Sequence, residues 1–431
     1  MTHPLLRTFL RLIGLFYPWI AVSHRERLPA SGPVLLIANH PNGLLDPLVV
    51  RQGLGVPVRF LGKSTFWDNP VGAWTMNAAG ALPVYRAREA DTARNEETFA
   101  ACRKILADRG WLALFPEGTT HSAPTLLPLK TGAARIAFGA EVEGGWQLGL
   151  KVVPVGMLYE DKTIFRSRVS LVVGPPIPVA PLRAAYEADP RAAVELLTDQ
   201  MAAGLGDVVL QAANDELWRG LVAVASWTAS DGGADVAARD RRALALAARV
   251  RTIGASDPDR LAAAVAATRR FVEVLTSLGV RDPLAVAEPD LGLVSSLNLG
   301  LVLRAPFALV GAILAWVPYR LVRPLAAKLS GGHDDVVGTY KMLAGLFVLG
   351  LTYVGWTIAA GLAGGWLAAL AMAVVGPWTG LVALQFQERM LRRREALVGW
   401  WVATDEARRT VVTARAELCR LVEAALAEPV G

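Results

Sequence analysis

The sequence predicts an α/β domain with a central sheet flanked by helices, then a helical region, then a C-terminal transmembrane helical hairpin. Three observations predict it. Between residues 33 and 182, short apolar β-rich runs alternate with helical periodicity, the pattern of a sheet covered by helices. From Arg183 to about Asp290 the chain turns to Ala, Arg, Glu and Leu with almost no strand signal, and alanine is the best helix former. Finally, not one Asp, Glu, Lys or Arg stands between Lys341 and Glu388. That run has room for two spans of about 20 apolar residues each.

Composition narrows the class further. Hydrophobic residues make up 53% of the 431 and charged residues 19%, with a mean hydropathy of +0.37. These values exclude a disordered chain and argue against an ordinary soluble enzyme. The formal net charge of +6 suits an anionic membrane surface or a phosphate-bearing substrate. No nucleic acid is expected as a partner, because Lys and Arg are not densely clustered. Cys102 and Cys419 stand too far apart in sequence for a disulfide framework or a metal-ligand motif, so a reducing compartment is expected.

Residues 1–24 read as an N-terminal amphipathic, interfacial helix. Leu5–Val22 is apolar with Arg7 and Arg11 one turn apart, and it lacks the small-residue cleavage site of a signal peptide. Residues 25–182 form the α/β domain. Its buried strands are expected at Val34–Ala38, Val58–Leu61, Trp111–Phe115, Val152–Val155 and Val169–Val173, with helices over 91–108 and 131–141. Residues 183–290 are helical, with breaks at Ser230-Asp-Gly-Gly233 and Ser256-Asp-Pro258.

Residues 291–341 read as an interfacial or re-entrant helical segment, since Ala305–Tyr319 as a helix reaches only about 22 Å of a ~30 Å hydrocarbon core; a tilted span extended back to Leu291 is the alternative. Residues 342–387 are the hairpin, Met342–Ala360 and Trp366–Leu384 joined at the glycine-rich Gly361-Leu-Ala-Gly-Gly365. Arg320, Arg323, Lys328 and Lys341 precede it, and Arg389, Arg392, Arg393 and Arg394 follow it. Both ends are therefore expected in the cytoplasm, with 388–431 as a cytoplasmic C-terminal helix and the protein integral to the cytoplasmic membrane.

Residues able to do chemistry gather at the ends of the expected strands. The first strand runs into Asn39-His40-Pro41-Asn42-Gly43-Leu44-Leu45-Asp46. A lone histidine is more often structural than catalytic. Here, however, one of only five histidines follows a buried strand, with an acid six positions on. Imidazole takes a proton near neutral pH, and a carboxylate on its far nitrogen would fix the tautomer. With no Ser or Cys beside the pair, His40 would act on a substrate hydroxyl directly.

A second element, Phe115-Pro116-Glu117-Gly118-Thr119-Thr120-His121, leaves the Trp111–Phe115 strand. Gly118 would admit a ligand close to the backbone, and Glu117 would orient groups or accept a hydroxyl; taken alone, the run serves equally well as an ordinary strand exit. Arg86 ends Gly80-Ala-Leu-Pro-Val-Tyr-Arg86 and could fork onto phosphate oxygens. Lys130 stands at an expected helix start, a plausible phosphate position. For both, a solvated surface cation is the plainer alternative. Val152-Val-Pro-Val-Gly156 carries no reactive group and reads as wall.

NHPNGLLD, GALPVYR, FPEGTTH and VVPVG stand in the order and approximate spacing of the four sequence blocks of the glycerolipid acyltransferase superfamily. Roughly residues 25–180 resemble that family. FPEGTTH followed by LLPLKTGAARIA is similar to its glycerol-3-phosphate and dihydroxyacetone-phosphate acyltransferase branch with C-terminal membrane helices. The resemblance implies an acyltransferase-type fold and a membrane-bound enzyme of phospholipid synthesis. On that implication, His40 deprotonates a glycerol-phosphate hydroxyl attacking an acyl thioester, and Asp46 orients His40. Arg86, Glu117, Gly118, Thr119 and Lys130 hold the acceptor.

The implied co-substrate is acyl-CoA or acyl carrier protein, with no metal or other cofactor, and membrane lipids are partners. Five residues separate His40 from Asp46 where the family's usual block has four, which a Pro41/Gly43 loop can absorb. Acylation of lysophosphatidate or another lysolipid is the nearest alternative. A non-enzymatic lipid-binding membrane protein and a thioester hydrolase are more distant ones, the first because a binder needs no base.

Overall fold

The computed structural model describes residues 11, 13–85, 95–229, 235–280, 283–287, 299–402 and 404–427. Among them, eight strands build one mixed sheet: β1 (Trp19–Ser23), β2 (Val34–Ala38), β3 (Val58–Lys63), β4 (Ala81–Val84), β5 (Trp111–Leu114), β6 (Lys151–Tyr159), β7 (Arg168–Val173) and β8 (Ile177–Pro178). Their order is β1-β7-β6-β2-β5-β3-β4, with β8 also paired to β6. β6, β2, β5, β3 and β4 run parallel, so their C-terminal ends share one edge, while β7 runs antiparallel to β6 and β1 parallel to β7.

Apolar runs explain the centre of the sheet. Every residue of β2 (VLLIA) is buried, as is all of β6 beyond Lys151, as expected of strands covered on both faces. Leu35, Ile37, Leu112, Leu114 and Val152 pack with Ile136 and Phe138 of helix α4 in one core. Pro154 is tolerated inside β6 because the strand changes partner there, from β8 at Lys151 and Val152 to β7 from Val155 onward.

Helices α1 (Leu45–Leu54), α2 (Pro70–Ala79), α3 (Asn95–Ala107) and α4 (Gly132–Glu143) connect the strands. The start of α2 shows the local logic. Asn69 caps it by accepting from the Gly72 amide at 2.8 Å, Pro70 fills the first helical position, and Gly80 closes it at φ 76°. After the sheet come α5 (Arg183–Ala188), α6 (Pro190–Gly206), α7 (Asp215–Trp227), α8 (Val236–Ser256) and α9 (Pro258–Ser277). The expected break at Ser256-Asp-Pro258 falls between α8 and α9, where Asp257 accepts from the Arg260 amide at 3.0 Å. The break at Ser230–Gly233 lies outside the described residues.

One expectation is corrected. Trp19–Ser23 is not helix but strand β1, paired in register with Arg168–Val172. Tyr17 and Ile13 are fully buried rather than turned to a lipid surface. Pro18 ends the helical turn before it, and Trp-Ile-Ala-Val fits a pleated, half-buried edge. The α/β unit therefore starts before residue 25. It also runs past 182: the chain divides into two units, the first holding the described residues up to Gly220 with Asp235–Ala247 and Asp334–Thr339. Within it, α8 is tied to the sheet by the buried Asp240, which accepts from Ser170 Oγ and from Arg239 Nε at 2.7 Å.

The second unit is helical. α9 and α10 (Pro283–Ala287) pack on α14 (Asp405–Ala427), Phe271 and Leu418 being buried and Arg270 reaching Glu417 at 3.0 Å. α11 (Leu299–Leu314) and α12 (Trp316–Leu329) meet at a 48° bend at Ala315, three residues before Pro318. The element α13 (Asp334–Val402) has a single non-helical residue, Gly365, at φ 77° and ψ −173°. Its two arms fold back on one another. The Tyr353 ring lies 3.3 Å from where a Cβ on Gly376 would stand, and a Cβ on Gly380 would collide with its hydroxyl. By length and composition this element is able to cross a membrane. Leu346, Phe347, Leu351, Val354, Trp366, Leu370 and Val374 are exposed along it.

Candidate active site

The shared C-terminal edge of the parallel strands gathers the chemistry. β2 ends at Ala38, and a short turn carries His40 to Asp46 in the first turn of α1. Gly43 takes φ 48°, and its carbonyl accepts the Asp46 amide at 3.4 Å. The turn absorbs the extra residue of the spacing. His40 Nδ1 and Asp46 Oδ2 lie 2.8 Å apart.

Asp46 is fully buried and holds three donors: the His40 ring, the Asn42 amide at 2.7 Å and the Tyr159 hydroxyl, on Oδ1, at 2.6 Å. A carboxylate so engaged fixes the tautomer with hydrogen on Nδ1 and the lone pair on Nε2. Nε2 has no hydrogen-bond partner among the described residues. The ring stacks on Phe115 at 4.0 Å between centroids and 11° between planes, which backs one face of the imidazole.

Burial, and next the charge of Asp46, pushes the Tyr159 phenol well above its ordinary value. Tyr17 is likewise pushed up, mainly by burial. Both remain neutral O–H donors. Tyr17 donates to the Lys162 carbonyl at 2.9 Å and accepts from Asn42 Nδ2 at 2.7 Å, so the turn is held from beneath.

β5 delivers the second loop. Glu117 is 3% exposed, and both its oxygens are occupied: Oε1 by the His40 amide at 3.3 Å, Oε2 by His121 Nε2 at 2.5 Å and the Leu127 amide at 2.8 Å. Glu117 thus ties the two loops together. Gly118 adopts φ +71°, and a Cβ there would stand 2.5–2.8 Å from the Lys130 side chain, which lies across it. The Lys130 amide donates to Pro116 at 2.8 Å, fixing that approach. Lys130 and Thr119 are exposed, and the Lys130 ammonium has no hydrogen bond among the described residues.

The structure thus brings together His40, Asp46 and Glu117, and sets Gly118 against Lys130. Arg86 lies outside the described residues; β4, which leads to it, ends on the same edge. Sequence reasoning missed Tyr159, Lys162 and the partnership of His121 with Glu117. Only the last had a local signal, a histidine four positions after an acid.

The family profile described as Acyltransferase matches residues 20–158. A glycerol-3-phosphate O-acyltransferase of Saccharomyces cerevisiae is 42% identical over 85 residues, covering 20% of this chain and 11% of the relative. A chloroplastic 1-acyl-sn-glycerol-3-phosphate acyltransferase of Brassica napus is 28% identical over 138 residues, covering 32% of this chain and 36% of the relative. The match thus spans well under half the length of either relative. The crystal structure of a 1-acyl-sn-glycerophosphate acyltransferase from Thermotoga maritima aligns with 19% identity and a TM-score of 0.32. It covers 46% of this chain and 79% of that one, too slight a likeness to argue from.

Proposed function

Residues 20–158 belong to the glycerolipid acyltransferase superfamily, and from that premise we propose that the protein is a membrane-bound O-acyltransferase of phospholipid synthesis. It moves a fatty acyl group from an acyl thioester, on coenzyme A or acyl carrier protein, to a hydroxyl of glycerol 3-phosphate or dihydroxyacetone phosphate. The observation that carries the reading is the His40–Asp46 pair at 2.8 Å, with Nε2 left unpaired at the strand-end edge.

The acceptor hydroxyl donates to Nε2. As its oxygen attacks the thioester carbonyl, His40 takes the proton and Asp46 stabilises the imidazolium. Collapse of the tetrahedral species breaks the carbon–sulfur bond, and His40 returns the proton to the departing thiolate. General-base assistance of this kind contributes about 10²–10⁴-fold. Lys130 over Gly118, and Arg86 beyond β4, are the cations for the acceptor phosphate. The hairpin of α13 anchors the enzyme with both ends in the cytoplasm and the catalytic edge on that face. The uncharged run 342–387, its basic flanks and the reversal at Gly365 support this reading.

The yeast relative's name favours glycerol 3-phosphate. Acylation of lysophosphatidate is the second reading, favoured by the longer match to the Brassica protein. Purified full-length protein, given labelled acyl-CoA and a panel of glycerol 3-phosphate, dihydroxyacetone phosphate and lysophosphatidate, separates the two. Arg86→Ala should raise KM for the phosphorylated acceptor more than for the donor, and an equal rise in both would remove its phosphate role. A cysteine probe at Gly364 should report the far side of the membrane; labelling from the cytoplasmic side would refute the anchor.

A further inference from the structure

Two loops meet at the ring of His40, and the bonds that join them directly are long. The His40 amide reaches Glu117 Oε1 at 3.3 Å, and the His121 amide reaches the His40 carbonyl at 3.3 Å, both beyond the usual 2.7–3.2 Å range for N–H···O. A third segment, the turn after β6, supplies shorter links. Lys162 Nζ donates to the Pro41 carbonyl at 2.9 Å and to Ser122 Oγ at 2.6 Å. Pro41 directly follows His40, and Ser122 directly follows His121. One ammonium therefore bridges the chain leaving each histidine.

The lysine is held in turn. Its carbonyl accepts from Tyr17 and, at 3.4 Å, from Asn42. Its turn is closed by the Asp161 amide on Ser167 Oγ at 2.9 Å and by the Thr163 amide on Asp161 at 2.8 Å. Charge-assisted bonds of this length are roughly twice as strong as neutral ones, and an anchored stem gives up little freedom to form them.

The geometry points to Lys162 as a positioning residue for acyl transfer: its ammonium fixes the separation of the His40 loop from the Glu117–Ser122 loop. That separation sets the distance between Nε2 and an acceptor seated on the second loop. A misplacement of about 1 Å there can cost about 10²-fold in rate. The proposal rests on the acyl-transfer reading and names a residue that reading does not use.

In the full-length protein in lipid, Lys162→Met should lower kcat about 10–100-fold, with KM for thioester and acceptor each staying within about threefold. Lys162→Arg, which keeps the charge and the donors, should recover most of that loss. Unchanged kcat in the Met variant would overturn the proposal. A rise confined to the acceptor KM would also overturn it, making Lys162 a phosphate contact. Amide hydrogen exchange gives a readout independent of turnover: in Lys162→Met, residues 40–46 and 117–122 should both exchange faster, and unaltered exchange would sink the clamp. Absence of acyl transfer by the unsubstituted protein would refute the enzymatic reading, and exchange would still decide the clamp.

Discussion

Two histidine–carboxylate pairs stand side by side on one sheet edge, and they are built differently. His40 gives Nδ1 to Asp46 and keeps Nε2 unpaired. His121 uses both ring nitrogens, Nε2 with Glu117 and Nδ1 accepting from the Ala123 amide at 3.1 Å. An imidazole with one open nitrogen can move a proton; an imidazole with none can only hold a loop. The same two residue types thus leave one ring nitrogen open in one loop and engage both in the next, and what separates them is where the surrounding amides point.

That contrast can be broken by substitution. His40→Ala should have the largest effect, about 10³-fold or more on kcat with the fold retained, measured by acyl transfer and circular dichroism. Asp46→Asn should cost about 10²-fold, because the amide no longer fixes the tautomer. Full activity in either variant would put the two pairs on an equal footing. Glu117→Gln should cost activity only about tenfold, and it should lower stability by about 1–3 kcal/mol, because it weakens buried bonds rather than removing a base. A loss as large as that of His40→Ala would make the second pair catalytic.

The smallest effect is expected at Tyr159→Phe, a few-fold loss in kcat, since Asp46 keeps two donors. This variant also sharpens a pH prediction. Burial raises the folded Tyr17 and Tyr159 phenols above their free value of about 10, so the unfolded chain ionises first; stability is complete below about pH 10 and falls as the pH climbs further. Cys102, pushed up to about 12 by burial, adds to the same loss. Tyr159→Phe should flatten the alkaline fall in urea unfolding, and an unchanged slope would show that the phenol is not shielded.

Much of the sheet was legible in the sequence, and the exceptions have physical causes. β2, β3, β5, β6 and β7 announce themselves as apolar runs bounded by turns. β1 hides in an apolar stretch preceded by a helical turn, β4 carries Pro83, and β8 has two residues. Helix α1 begins inside the NHPNGLLD motif and contains Pro47, so it reads as loop.

At the site, His40, Asp46, Glu117 and Gly118 are found by local pattern. Tyr159 stands 113 positions from Asp46, and Lys162 stands 121 positions from Pro41. Those two come close only because β6 lies beside β2, a fact no window of sequence contains. Glu117 is singled out by its place after a strand, but spacing cannot reveal that its oxygens reach both loops.

Gly365 rests at φ 77° and ψ −173°, a corner of backbone space open essentially to glycine alone. A side chain there would strain the reversal and favour helix continued through the corner as one rod, bent only at Pro377. Its 69 residues would stretch about 100 Å, more than three times the thickness of an oily bilayer interior. On the proposed anchoring, a methyl group at this corner would strain the reversal itself, so an alanine here would be felt in where the whole polypeptide comes to rest before it was felt in any reaction.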